Sequence, residues 1–260
     1  MEMPRNRFKQ RLGKKQLQIG LFIGLGSPYS MEILASAGFD WLVIDAEHSP
    51  NTPGSVLPQL QAAALWPAQL LVRPMNHDPA LIKQYLDIGA QTLLVPLVDT
   101  AAQAAALVQA VRYPPQGIRG VGASLARAAC WNGIENYVRH ANEEVCLIVQ
   151  VETRQGLENL DAILAVEGVD GVFIGPADLA ASLGHLGDAR HAEVKAAIEN
   201  ALGRIAGSGK AAGVFASEFS LARHYCNCGA SFIAVGGDTT LLRNAAVKLA
   251  ASFRDNADPT

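Results

Sequence analysis

Acidic residues collect where the apolar runs of this 260-residue chain end. Gln150-Val151-Glu152 closes one run, and Gly175-Pro176-Ala177-Asp178 closes the next. If Glu152 and Asp178 share one spot, their carboxylates repel unless a cation or a shared proton lies between them. Neither has a histidine or cysteine beside it in the sequence, so the donor set is all oxygen. Such a set suits Mg or Mn better than a structural zinc. The plainer reading is that each acid caps the helix that follows it.

A third run ends in Asp45-Ala46-Glu47-His48, and a fourth ends in Arg73-Pro74. His48 is the candidate general base. Asp45 is close enough in sequence to orient the ring, and Asp87, on a later helical stretch, is a second candidate to reach it. Arg73 follows a wholly apolar run and precedes a proline, which aims its guanidinium into the same space. There it would stabilise an enolate or carboxylate oxygen. Its plainer reading is a salt bridge to Asp45 or Glu47. Lys83, Lys195, Lys210 and Lys248 fall on helical stretches or ahead of strands, so no lysine is placed for Schiff-base chemistry. The absence of a Gly-x-Ser-x-Gly turn argues against an acyl hydrolase.

The elements that must position these groups alternate along the whole chain. Apolar, β-rich runs cover 18–25, 41–45, 69–73, 92–98, 146–151, 171–175, 211–216 and 232–236, and helical periodicity follows each. Glycines 38, 89, 168, 209 and 229 fall just past helical runs, where a left-handed cap is expected. The pattern predicts a single (β/α)8 barrel over 1–260, with chemistry at the C-terminal ends of its strands. The first turn, Gly24-Leu25-Gly26-Ser27-Pro28, lacks the third glycine of a dinucleotide fold. An insertion at about 113–145, with a helix near 134–141, is the expected functional loop. The first fifteen residues read as a short helix across the barrel floor.

Composition narrows the classes. Half of the residues are hydrophobic and 17% are charged, which suggests close helix-on-sheet packing or a large buried interface between subunits rather than a heavily solvated surface. A net charge of −3, with basic residues clustered only near Arg5, Arg7, Lys14 and Lys15, gives no nucleic-acid footprint. No uncharged apolar run approaches the ~18 residues of a membrane span. The four cysteines suggest neither a disulfide framework nor a zinc pattern, and the expected compartment is the cytoplasm.

Four motifs in register, Phe39 to His48, Tyr113 to Gly120, Gln150-Val-Glu152 and Gly175-Pro-Ala-Asp178, give the chain its resemblance to the HpcH/HpaI class II pyruvate aldolases. The likeness runs from Phe8 to Phe253. It implies a barrel of the phosphoenolpyruvate/pyruvate-binding type and a divalent cation, Mg, Mn or Co, on Glu152 and Asp178. Pyruvate would be contacted by Gln150, Arg73 and the turn Gly175, Pro176, Ala177 and Asp178. His48 would be the base, supported by Asp45 and made more basic by Asp87, and Arg73 would stabilise the transition state. The assembly implied is a homohexamer with exchanged C-terminal helices. The reaction implied is reversible cleavage of a 4-hydroxy-2-oxo acid, 4-hydroxy-2-oxoheptane-1,7-dioate first, to pyruvate and succinic semialdehyde. Arg119 and Arg127 in the insertion are expected to meet the distal carboxylate. Phe215, where an aliphatic residue is expected, bears on aldehyde preference. A 2-keto-3-deoxy sugar acid aldolase of rhamnonate or glucarate type would share the same residues, and a non-catalytic oxo-acid-binding barrel is the rival from another class.

Overall fold

In a computed structural model that describes residues 1–254, eight parallel strands close into a barrel in chain order. Positions 255–260 of the expected domain lie outside the described residues. The strands are β1 (Gln18–Ile23), β2 (Trp41–Asp45), β3 (Gln69–Arg73), β4 (Thr92–Val95), β5 (Cys146–Val151), β6 (Gly171–Ile174), β7 (Ala211–Phe215) and β8 (Phe232–Gly237). β1 pairs with both β2 and β8, which completes the (β/α)8 fold. Every residue of β2, β4, β5 and β6 is buried, as expected of strands covered on both faces.

Among the described residues twelve α-helices accompany them. The first six are α1 (Arg7–Gly13), α2 (Pro28–Ala35), α3 (Pro53–Ala62), α4 (Pro79–Asp87), α5 (Ala101–Val111) and α6 (Tyr137–Glu144). The rest are α7 (Arg154–Glu158), α8 (Leu160–Leu164), α9 (Pro176–Ser182), α10 (Ala192–Gly207), α11 (Phe219–Asn227) and α12 (Asp238–Arg254). Gly38 and Gly229, just ahead of β2 and β8, have φ of 90° and 110°, the left-handed caps that the sequence pattern predicts.

Inside the barrel, aromatic rings and glycines fit one another. Phe8 of α1 plugs the floor, with its ring centroid 6.0 Å from Trp41 and 5.7 Å from Phe232. A Cβ on Gly20 would fall 2.1 Å from the Trp41 ring, and one on Gly213 would fall 2.2 Å from the Phe232 ring. The large side chains fit because these two positions have none. Asn6 fastens α1 to the floor: its Oδ1 accepts from Lys9 N–H at 2.9 Å, and its amide donates to Thr92 Oγ1 at 2.9 Å.

Three elements differ from expectation by more than one residue, for visible reasons. β1 stops at Ile23 because the N–H groups of Gly24 and Leu25 go to the Asp238 carboxylate, at 2.8 and 3.1 Å, instead of a strand ladder. β4 stops at Val95 because Pro96 has no N–H and Leu97 turns to φ 54°. The insertion helix begins at Tyr137, after Asn136 at φ 56°, and runs on to Glu144. The insertion has its own apolar cluster of Tyr113, Ala126, Ala129, Ile134, Tyr137 and Ala141.

Candidate active site

The groups singled out at the strand ends converge at the C-terminal mouth of the barrel. Asp45 and Arg73 end β2 and β3 as register partners. Arg73 donates from Nε to Asp45 Oδ1 at 2.8 Å and from Nη2 to Oδ2 at 2.7 Å. Its Nη1 lies 2.9 Å from Glu47 Oε2, and its guanidinium sits 4.9 Å from the Phe22 ring centroid. Burial opposes the Arg73 charge, but Asp45, Glu47 and Glu152 outweigh it and hold the group protonated.

The segment after β2 is tied down by the same acid. Asp45 Oδ1 also accepts the N–H groups of Glu47 and His48, at 3.0 and 3.4 Å. The Asp45 carbonyl accepts from Asn51 Nδ2 at 2.8 Å and from the Ser49 hydroxyl. Fully buried Gln59 donates to Asn51 Oδ1 at 2.8 Å, so a core helix braces the loop that carries His48.

Glu152 follows β5 and is 1% exposed. Its Oε1 accepts from Leu97 N–H at 2.9 Å, and its Oε2 contacts the Gln150 amide. Leu97 presents that N–H from a left-handed backbone, a strain that clusters at functional sites. Burial pushes the Glu152 carboxyl up to about 7; hydrogen bonds from Leu97 and Gln150 oppose this, while the charges of Glu47 and Asp178 add to it. Glu47 is also raised, first by burial, then against the pull of Arg73 and His48, with Asp45 and Asp178 pushing it further. Three acids from three strand ends, Glu47, Glu152 and Asp178, therefore share one electrostatic field.

A divalent cation fits this field. Gln150 Oε1 is a buried acceptor with no partner, and a Cβ on Gly175 would lie 2.2 Å from Glu152 Oε2 and 2.8 Å from Gln150 Nε2. Glycine at 175 keeps the space beside the carboxylate open. Neither acid performs the capping duty of the plainer reading. Thr153 caps α7, its Oγ1 accepting Gly156 N–H at 2.9 Å, and Gly175 is the N-cap of α9 without a side-chain bond. Asp178 stands exposed in the first turn of α9, where Ala177 and Asp178 offer N–H groups that lack an intrahelical partner.

Several expectations need correction. His48 is at the mouth, with a side chain 62% exposed, but its neighbouring carboxylate is Glu47, with Nε2 3.6 Å from Oε2. Asp45 supports His48 through the backbone rather than the ring, because Arg73 takes its carboxylate. Asp87 ends α4 at the opposite, N-terminal end of the barrel and pairs with Arg119 at 2.8 Å, so within this chain it does not reach His48. Arg119 is 2% exposed and stacks 4.3 Å over Tyr113, and Arg127 donates to the Ile88 carbonyl at 2.9 Å. Both arginines hold the insertion against the barrel floor, far from any aldehyde at the mouth. The salt-bridge reading of Arg73 is correct as geometry, and it leaves the cation at the mouth. Sequence reasoning missed Phe22 beneath Arg73 and the Leu97 N–H. Thr153, a typical capping residue at a helix start, was the signal that Glu152 is free for other work.

Over residues 18–245 the chain matches the HpcH/HpaI aldolase/citrate lyase family. A hydroxypyruvate/pyruvate aldolase of Deinococcus radiodurans is 63% identical over 252 residues, 97% of this chain and 91% of that one. A 4-hydroxy-2-oxo-heptane-1,7-dioate aldolase of Escherichia coli is 56% identical over 248 residues, 95% of each chain. The crystal structure of a HpcH/HpaI aldolase/citrate lyase family protein from Burkholderia cenocepacia superposes with a TM-score of 0.92 at 41% identity, covering 96% of this chain and 99% of that one. Barrel, mouth and relatives together define an aldolase, a carbon–carbon lyase. The chain belongs to the HpcH/HpaI aldolase/citrate lyase family. Among the described residues no helix is long and apolar enough to cross a membrane.

Proposed function

We propose that this aldolase uses a divalent cation on Glu152 and Asp178 to join a small 2-oxo acid reversibly to an aldehyde. The observation that carries the reading is the space kept by Gly175 beside buried Glu152, within the shared field of Glu47 and Asp178. When bound, the cation supplies Lewis acidity toward the oxygens of the oxo acid.

The chain's own groups do the rest. Gln150 and the N–H groups at the start of α9 orient the oxo acid, and Arg73 faces the oxygen on which negative charge develops. Because Asp45 and Phe22 fix the guanidinium, it needs no rearrangement as that charge forms. For cleavage, His48 takes the proton from the C4 hydroxyl, directly or through a water, and the C3–C4 bond electrons pass to the oxo acid. In synthesis it returns that proton. Glu47 Oε2 lies 3.6 Å from the His48 Nε2 beside which that proton moves.

The first substrate to test is 4-hydroxy-2-oxoheptane-1,7-dioate, cleaved to pyruvate and succinic semialdehyde. A second reading, with hydroxypyruvate as donor and a neutral aldehyde as acceptor, is favoured by the occupied state of Arg119 and Arg127. It also agrees with what the D. radiodurans relative is named for. A coupled assay with each substrate, a 2-keto-3-deoxy sugar acid and a chelator control separates them. Turnover that survives complete chelation refutes the cation's role, and oxo-acid binding without turnover on any substrate supports the non-catalytic barrel.

The active assembly we propose is a cytoplasmic homohexamer. Leu242 and Phe253 on α12 are 59% and 73% exposed, and Asp238 is the sole buried residue of that helix among those described. A helix that leaves large apolar side chains bare in one chain supports exchange between subunits.

A further inference from the structure

Away from the acids of the mouth, the segment between α9 and α10 gathers two imidazoles and a carboxylate that the aldol chemistry does not use. The rings of His185 and His191 stack with centroids 3.5 Å apart and planes 17° from parallel. Glu193, in the first turn of α10, places Oε2 2.8 Å from His185 Nε2. One ligand-capable atom from each of the three residues lies within 4.8 Å of the other two. The backbone sets this arrangement in advance. His185 N–H donates to the Ala180 carbonyl at 2.7 Å, Asp188 N–H to the His185 carbonyl at 2.9 Å, and His191 N–H to the Asp188 carbonyl at 3.1 Å.

We propose that His185, His191 and Glu193 form a second metal site, selective for a borderline transition cation of the Zn(II), Ni(II) or Co(II) class. Two imidazole nitrogens and one carboxylate oxygen match the ligand chemistry of those cations. The all-oxygen acids at the mouth match Mg or Mn, so the two sites divide metals by donor type. Binding displaces two existing bonds. His185 Nε2 gives up its hydrogen bond to Glu193 and carries its proton on Nδ1, and His191 Nδ1 leaves the Glu193 N–H that it accepts at a long 3.3 Å. The rings turn out of their stack as their lone pairs swing toward the cation. A cation here clips the end of α9 to the start of α10, and α9 is the helix that bears Asp178.

Zinc is counted by equilibrium dialysis and elemental analysis on the folded wild-type chain, on E152Q/D178N, and on E152Q/D178N carrying H185Q and E193Q. The expected result is one equivalent on E152Q/D178N and none on the fourfold variant. No zinc on E152Q/D178N, or one equivalent retained on the fourfold variant, overturns the proposal. A measurement on wild type removes any dependence on variant folding. Zinc, but not magnesium, is expected to block diethylpyrocarbonate labelling of His185 and His191, mapped by peptide mass spectrometry, while exposed His140 stays labelled. Equal labelling of His185 and His191 with and without zinc sinks it. H185Q alone is expected to keep its turnover with magnesium, and loss of that turnover would refute the independence of the site.

Discussion

Asp45 and Arg73, the last residues of neighbouring strands, meet through two parallel bonds of 2.8 and 2.7 Å, and the acid is thereby unavailable to the His48 ring. The pair fixes a buried cation at the mouth of the barrel. R73K keeps the charge but loses the fork, so turnover should fall about 100-fold or more with little change in KM. A raised KM at unchanged turnover, measured in a pyruvate-coupled assay, would make Arg73 a ground-state anchor instead. D45N, which leaves Arg73 incompletely paired, should cost up to about 3 kcal/mol in chemical denaturation.

Glu152 sets a pH dependence opposite in sign to that of an ordinary paired carboxylate. Its value rises from 4.5 to about 7 in the folded chain. Below 4.5 both states hold the proton and the group contributes nothing. Between 4.5 and 7 the unfolded chain ionises first, so the metal-free fold loses stability as pH rises, and the full cost is present above 7. Thermal melts of metal-free protein should therefore decline across that window. Saturating Mn should flatten the decline, and Mn affinity should climb toward pH 7 and then level off. A metal-free melt that improves with pH, and loses that trend in E152Q, would contradict this.

G175A places a methyl group 2.2 Å from Glu152 Oε2 and should displace that carboxylate. Metal affinity is expected to drop by more than about tenfold, with the melting temperature of metal-free protein little changed. Calorimetric titration with Mn reads the first quantity and scanning calorimetry the second.

G20A and G213A should each cost about 1–3 kcal/mol, because the added Cβ meets the Trp41 or Phe232 ring in a filled interior. The double variant G213A/F232L should recover part of the loss in urea unfolding. Additive losses would show that the two positions do not compete for the same space.

R119K should lower the melting temperature, through loss of the Asp87 pair and the Tyr113 stack, while leaving KM for acidic aldehydes within about twofold of wild type. A selective rise in KM for succinic semialdehyde would return Arg119 to the substrate-binding role that its place in the insertion suggested.

The barrel was legible because strands buried on both faces leave continuous apolar runs, and the polar residues that end them stand out. Glu47, Arg73, Glu152 and Asp178 were found that way, and the structure brings them into one field. Pairings were harder to read. Sequence proximity suggested that Asp45 serves His48, but register places Arg73 directly opposite Asp45, and a guanidinium fork outcompetes a ring that points to solvent. Asp87 and Arg119 are far apart in sequence, and their contact depends on how the insertion folds back under α4. Phe22 and the Leu97 N–H carry no ionisable signature, so only the closed barrel shows what they hold.

Asp238 has a consequence for how the molecule is made. Its carboxylate accepts the N–H groups of Gly24 and Leu25, so a residue 214 positions after Gly24 stitches shut the end of the first strand. On a ribosome, the nascent chain must carry an unsealed sheet edge from β1 onward, and the ring can close only after β8 has emerged. Truncation just before Phe232, which removes β8, should leave an adhesive, aggregation-prone crescent rather than a smaller barrel.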